Sequence, residues 1–341
     1  MSRSRATLAD VARLAGLSKT AASMVLNGRE GTRLSAEAHR RVFAAAAELG
    51  YRPNVAARSL RTQKSSTLAF ISDIVATTRF AGDMIRGALD AAREHDHVLL
   101  IAETQGDESF EQHAIEAMLD RQVDGVIYAA MATRQLPVPA ALSPHPTVLL
   151  NGAGDDRSCV LPDDEQAGHS VTTALIDAGH RHKIALIGRN RLKESDAEVS
   201  LAAGARLRGI ERALEAAGTE LCVSIACQDW LPEHGYAAMR SLLRKRIRPT
   251  AVICMNDRLA FGAYQALAEA GLGIPQDMSV VSFDDDVIAA WLRPGLSTAA
   301  LPHEQMGRRA VELLLAGSVV DRCLVPMPLR RRGSIGPPPA A

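Results

Sequence analysis

From Thr67 onward the chain repeats one pattern: a short, continuous apolar run followed by a helix-length amphipathic stretch. The apolar runs are TLAFIS from Thr67, HVLLIAE from His97, DGVIYAA from Asp124, PTVLLNG from Pro146, KIALIG from Lys183, TAVICMN from Thr250 and MSVVSFDDD from Met278. Helical patterns lie between most of them, such as GDMIRGALDAAREH from Gly82, QAGHSVTTALIDAG from Gln166 and RLAFGAYQALAEAG from Arg258. A strand that is apolar on both faces must be covered on both, and β-α-β succession supplies the cover, so the pattern predicts parallel sheets sheathed by helices. Residues 66–330 hold more such strands than one open sheet comfortably carries, which favours two α/β subdomains side by side. The cleft between them is the natural ligand site, because open parallel sheets bind at the carboxyl ends of their strands. Residues 331–341, within RRRGSIGPPPAA, are expected to form a frayed tail.

Upstream of residue 65 the pattern is helical without strands, and the charge changes sign. Residues 1–65 hold twelve Lys plus Arg against four Asp plus Glu, so the net charge of zero over 341 residues conceals +8 here and −8 in the rest. Such a segment suits a polyanionic partner. Thr7 with Asp10 reads as a capping box that opens a helix, with Leu8, Val11, Ala12 and Ala15 as its apolar stripe. Gly16 ends it, Leu17 plugs the corner, and Ser18 caps a second helix running to Asn27 with Ala22, Val25 and Leu26 inward. A third helix runs from Ser35 as cap to Gly50, with Ala38, Val42, Ala46 and Leu49 on one face. Two short helices at a tight turn plus a third make a helix-turn-helix bundle over residues 1–50. Lys19, Thr20, Ser23 and Met24 then face the major groove of DNA, while Arg13, Arg40 and Arg41 face phosphates. The competing reading is a basic bundle that binds protein or only water.

The segment after the bundle favours DNA. Residues 51–65 begin YRPNVAARSL, with Pro53 and Asn54 as stop and cap before a helical stretch, Val55 to Leu60, too short to persist alone. It carries Arg58 and Arg61 and projects Leu60, an apolar wedge of the kind that opens a base step from the minor groove. The polar RTQKSS, from Arg61, closes the segment.

TLADVARLAGLSKTAASMVLNG followed by LSAEAHRRVFAAAAELGYRPNVAARSL resembles the headpiece and hinge helix of the LacI/GalR family, and the similarity runs through nearly the whole chain. The resemblance implies a type I periplasmic-binding-protein-like effector domain behind a DNA-binding headpiece, and a transcription regulator, a repressor by expectation, controlled by a sugar or related metabolite. It implies a DNA-contacting set of Thr7, Lys19, Thr20, Ser23, Met24, Asn27, Ala57, Arg58 and Leu60. Met24 stands where many members carry arginine, and NGREGTRLSAE is a slightly long loop, so the operator sequence is not implied. It also implies an effector set: Arg206 in GARLRGIERAL, Asn256 with Asp257 in ICMNDRLAFGA, Asp284 in VVSFDDD, Asp163 in LPDDEQAG, and Trp230 in QDWLPEHGY. In chemical terms Arg206 could grip hydroxyls or a carboxylate, the aspartates accept from hydroxyls, and an aromatic face stacks on a ring. Asp257 reads equally well as a helix cap, and Trp230 as core or rim. Phe80 occupies the place of the family's N-P-F-F without its Asn-Pro, and His180 and His182 read as a helix-end turn.

Other classes lack their signatures. No G-x-G-x-x-G follows the first strand, and neither a P-loop nor a G-x-S-x-G occurs, so no catalytic residue and no cofactor is assigned. Asp284, Asp285 and Asp286 could suggest a cation, but three successive side chains do not converge, and no metal is assigned. The five cysteines, Cys159, Cys222, Cys227, Cys254 and Cys323, are odd in number and scattered, which suits a reducing cytoplasm. A periplasmic solute-binding protein should open with a signal peptide, whereas MSRSRATLADVA has no apolar core, and no run is long enough to span a membrane. The expected partners are near-palindromic operator DNA, a small-molecule effector and a second copy of the chain. With no leucine-heptad tail, a homodimer is the simpler assembly and a tetramer the alternative.

Overall fold

The computed structural model describes residues 6–26, 34–51, 64–74, 79–154, 157–317 and 322–340. It divides into two units, Met1–Ser65 and Ser66–Ala341.

The first unit holds α1 (Leu8–Ala15), α2 (Lys19–Leu26) and α3 (Ala36–Glu48). The capping box forms: the Thr7 N–H donates to Asp10 Oδ2 at 3.0 Å and the Asp10 N–H to Thr7 Oγ1 at 3.3 Å. Gly16 closes α1 at φ 66°, a left-handed conformation that costs any residue with a Cβ about 1 kcal/mol or more. Ser18 accepts the Ala21 N–H at 3.1 Å and Ser35 the Ala38 N–H at 3.2 Å, so each of the next two helices starts on a side-chain cap. Val11, Ala12, Ala15, Ala22, Val25, Val42, Ala45 and Ala46 make the core, mostly small side chains that let three short helices approach closely. Asn27, Ala57, Arg58 and Leu60, with the whole stretch Val55 to Leu60, lie outside the described residues.

The second unit is built on two six-stranded sheets. The first lobe contains β1 (Thr67–Ser72), α4 (Arg79–Glu94), β2 (Val98–Glu103), α5 (Glu108–Leu119), β3 (Gly125–Gln135), β4 (Thr147–Ala153) and β5 (Cys159–Pro162). The chain then crosses to the second lobe, with α6 (Asp164–Asp177), β6 (Ile184–Arg189), α7 (Arg191–Ser195), α8 (Ala202–Ala216), β7 (Val223–Ala226), α9 (Pro232–Leu243), β8 (Ala251–Cys254), α10 (Asp257–Glu269), β9 (Ser279–Asp284), α11 (Val287–Trp291) and β10 (Ser297–Ala300). It returns to the first lobe for α12 (His303–Ala316) and β11 (Cys323–Val325), and ends on β12 (Leu329–Arg330) in the second. The strand orders are β11-β5-β4-β3-β1-β2 and β12-β10-β9-β8-β6-β7, parallel throughout except for β12. The central strands are buried along their length, as their uninterrupted apolar sequences require.

Close helix pairs position the ligand cleft. In α6 against α8, a Cβ on Gly168 would stand 2.2 Å from the Arg206 carbonyl oxygen, and one on Gly209 would stand 1.9 Å from that of Glu165. Only glycine allows these backbones to touch, and the contact sets where Arg206 stands relative to the start of α6.

The expectation of a frayed tail is corrected. Ser334 is fully buried, its Oγ donating to the Val280 carbonyl at 2.6 Å and accepting the Ser297 N–H at 2.8 Å. The Gly336 carbonyl lies 2.9 Å from His180 Nε2, and its N–H donates to Ser279 Oγ at 3.0 Å. A Gly- and Pro-rich end docks here because its polar groups complete hydrogen bonds that the second sheet leaves open.

Candidate ligand cleft and nucleic-acid interface

Arg206, on the inner face of α8, is 3% exposed and is held from three sides. Its Nε donates to Asp164 Oδ1 at 2.7 Å, Nη1 to the Met255 carbonyl at 2.7 Å and Nη2 to Asp284 Oδ1 at 2.9 Å. The guanidinium carbon sits 4.6 Å from the centre of the Phe283 ring. Burial works against its charge, but Asp284 and Asp164 outweigh burial and hold Arg206 protonated above its usual range. Burial likewise pushes the Asp164 carboxyl up while Arg206 pulls it down, and the net direction is up.

The family resemblance pointed to Asp163 at the cleft, whereas it is Asp164 that reaches Arg206. Asp163 caps α6, accepting the Gln166 N–H at 3.0 Å, while its own N–H donates to the Val325 carbonyl at 2.9 Å where the chain passes between lobes. In LPDDEQAG the two aspartates are indistinguishable by composition, but the cap residue turns toward the helix end while the next turns toward the neighbouring helix. Asn256 caps α10, accepting the Leu259 N–H at 2.9 Å and donating to the Trp230 carbonyl at 3.1 Å. The cap role weighed for Asp257 thus belongs to Asn256. Asp257 is 1% exposed, accepts from Ser282 Oγ and from the Asp286 N–H, and burial raises its carboxyl to about 7.

Trp230 donates its indole N–H to the Gly188 carbonyl at 2.8 Å, and Lys193 Nζ lies 5.4 Å from the ring centre. Asp284 and Asp285, at the end of β9, have φ of 107° and 55°, strained for residues with side chains. Asp285 is anchored by Arg332 of the docked tail at 2.7 Å. Beside Asp284 a cavity of about 240 Å³ is bounded by Asp83, Val287, His303 and Arg330, where the chain crosses between lobes. Burial depresses His303 to about 4, with Asp284 and Asp83 opposing.

The first lobe supplies a cluster that sequence reasoning missed. Asp73, after β1, accepts the Ile74 N–H at 2.9 Å and the Met131 N–H at 3.0 Å, and Arg134 approaches it at 3.5 Å. Asn151, buried at φ 58°, donates to the Ala130 and Met131 carbonyls and accepts from Thr133 Oγ1 at 2.7 Å. These groups lie at the carboxyl ends of β1, β3 and β4, and the strand-end position of Asp73 in TLAFISD was the available signal. The Leu201 N–H donates to the Thr133 carbonyl at 2.7 Å and the Gln135 N–H to that of Ala197 at 2.6 Å, joining this edge to the second lobe. The structure therefore brings Arg206 and Asp284 together with Asp164, and Asn256 with Trp230. The Phe80 side chain lies outside the described residues.

On the first unit, α2 exposes Lys19 and Thr20 and leaves Ser23 and Met24 partly buried. The Thr7 hydroxyl is engaged by Asp10 at 2.6 Å, so Thr7 presents a fixed helix start. Arg13 pairs with Asp10 at 3.1 Å and Arg40 with Glu37 at 3.0 Å, solvent-exposed pairs that a phosphate could displace at little cost. Among the described residues no helix is long and apolar enough to cross a membrane, and no cluster of His, Cys, Asp and Glu could hold a metal ion.

Residues 67–331 match the family described as periplasmic binding proteins and sugar binding domain of the LacI family, and residues 7–54 match bacterial regulatory proteins, lacI family. The ribose operon repressor of Haemophilus influenzae is 36% identical over 91% of each chain. The sucrose operon repressor of Shigella flexneri is 34% identical, covering 96% of this chain and 99% of its own. Among solved structures, the lac repressor dimer bound to operator and the anti-inducer ONPF superposes with TM-score 0.76 at 26% identity, covering 97% of this chain and 99% of the other.

Proposed function

The chain belongs to the LacI family of bacterial regulatory proteins, and we propose that it represses transcription as a homodimer whose hold on a near-palindromic operator is set by a neutral sugar in the cleft. It is a ligand-responsive, sequence-specific DNA-binding regulator, as its relatives are. We read it as a regulator and not an enzyme, acting in the cytoplasm where operator DNA lies.

The observation that carries the choice of ligand is the bracketing of Arg206 by two carboxylates. A guanidinium committed to Asp164 and Asp284 has little positive potential left for an anion. Three further cations near the strand ends are paired as well: Arg134 with Asp73, Arg189 with Glu194 and Lys193 with Asp229. A carboxylate or phosphate would meet an Arg206 already committed to two carboxylates, whereas hydroxyls find acceptors on Asp73 and Asp284, and Trp230 offers a ring face. This narrows the expectation from sequence, in which Arg206 was free to grip an acid. Asp163 and Asn256 serve as supports that hold the cleft in shape.

At the DNA, Lys19, Thr20, Ser23, Met24 and Asn27 are assigned to the major groove, and Ala57, Arg58 and Leu60 to the minor groove. Two copies place two headpieces on symmetric half-sites. The test is calorimetric titration of the purified protein with ribose, sucrose and other neutral sugars, each beside its phosphate or acid. A neutral sugar should bind and change operator affinity in a gel-shift assay. Tighter binding of the charged counterpart would overturn the assignment.

A further inference from the structure

We propose that the second lobe carries another small-molecule site, far from the cleft, that takes an apolar molecule bearing one anionic group. The site is a cavity of about 710 Å³ at the amino ends of β6, β8 and β9, the end of the sheet opposite to the sugar cleft. Its size falls within the roughly 300–1,000 Å³ usual for pockets that enclose a metabolite.

Its apolar lining includes Leu242, Ile247, Leu272, Met278 and Pro338. Leu242 and Met278 are core residues, whereas Ile247 is 45% exposed, so the cavity runs from the core to an open mouth. One wall is the docked tail, pinned where His180 meets Thr250 Oγ1 at 2.8 Å and the Gly336 carbonyl at 2.9 Å. The hollow is therefore preformed, and a ligand would not have to order it.

Charge distinguishes this cavity from the cleft. Arg181, Lys183 and Arg248 stand on its exposed lining, and among the described residues none of them meets a carboxylate. Arg248 donates to the Leu243 carbonyl at 2.7 Å and the Lys245 carbonyl at 3.2 Å, neutral acceptors that do not cancel its charge. The acidic residue on the lining, Asp277, is turned to the Gly273 N–H at 2.7 Å. An apolar floor favours a body that leaves water, and unanswered cations at the mouth favour a carboxylate that stays near it. The cleft commits Arg206 to two carboxylates and suits a neutral ligand; this cavity has the opposite selectivity.

The test is isothermal titration of the full-length protein with indole-3-acetate and decanoate, each beside its neutral alcohol. We expect at least one acid to bind saturably, once per chain, and at least tenfold more tightly than its alcohol. Arg181→Glu with Lys183→Glu, both at exposed positions, should weaken that binding tenfold or more, and Ile247→Glu should do the same from the apolar side. Trp230→Ala, in the cleft, should leave it unchanged. The proposal is overturned if neither acid binds, if acid and alcohol bind equally, if the charge reversals have no effect, or if Trp230→Ala abolishes binding.

Discussion

Replacing Arg206 by leucine tests whether the cleft is built around a buried ion cluster. The substitution removes three hydrogen bonds of 2.7–2.9 Å and leaves Asp164, 3% exposed, without a counter-charge. Removing one partner of a buried ion pair costs about 3–5 kcal/mol, a large share of a domain's roughly 5–15 kcal/mol. The cost should depend on pH. In the folded protein burial already raises the Asp164 carboxyl, and without Arg206 nothing opposes it. A group with a raised folded pKa adds stability below its unfolded pKa, and that stability is lost as pH rises through the folded value, at up to about 1.4 kcal/mol per pH unit. Arg206→Leu should therefore be less destabilised at pH 5 than at pH 8. Adding Asp164→Asn should recover part of the loss at pH 8, because an amide needs no counter-charge. Urea unfolding at both pH values gives the midpoints and slopes. A variant within about 0.5 kcal/mol of the parent at both pH values would refute the reasoning, since surface substitutions routinely fall in that range.

Two buried groups should tilt the stability profile in opposite directions between about pH 4 and 7. Asp257, raised to about 7, adds stability that is lost as pH climbs through that window, while His303, depressed to about 4, adds stability that is lost as pH falls from its unfolded value near 6.5. Asp257→Asn should thus make the protein lose stability toward acid more steeply, and His303→Gln should make it lose stability toward neutral pH, both read from thermal melts across the range. Gly209→Ala should cost about 1–3 kcal/mol, because the new Cβ meets the Glu165 carbonyl at 1.9 Å, and should weaken sugar binding by displacing Arg206. Lys19→Ala should weaken operator binding and lower the salt slope by about one if it meets a phosphate, or relax base preference if it reads a base; a binding assay over a salt series separates the two.

The alternation of apolar runs and amphipathic stretches sufficed for parallel sheets, for their number and for a cleft, since a strand buried on both faces leaves a continuous trace in sequence. The headpiece was equally legible, because Thr7 with Asp10, Gly16, Ser18 and Ser35 act within a few residues of themselves. Two edge strands were not legible: β7 as VSIA and β11 as CLV are short and half-exposed, and only their pairing with β6 and β5 makes them strands. Nor could sequence decide between Asp163 and Asp164, or between Asn256 and Asp257. Each pair differs only in which way a helix start turns its first side chains, and the partners that settle the matter are 42 residues away for Asp164 and 25 for Asp257. The docking of Ser334 and Gly336 is of the same kind. Local composition describes a chain end that could fray, but whether it does depends on open hydrogen-bonding groups at Ser279, Val280 and Ser297, brought together only by the folded sheet.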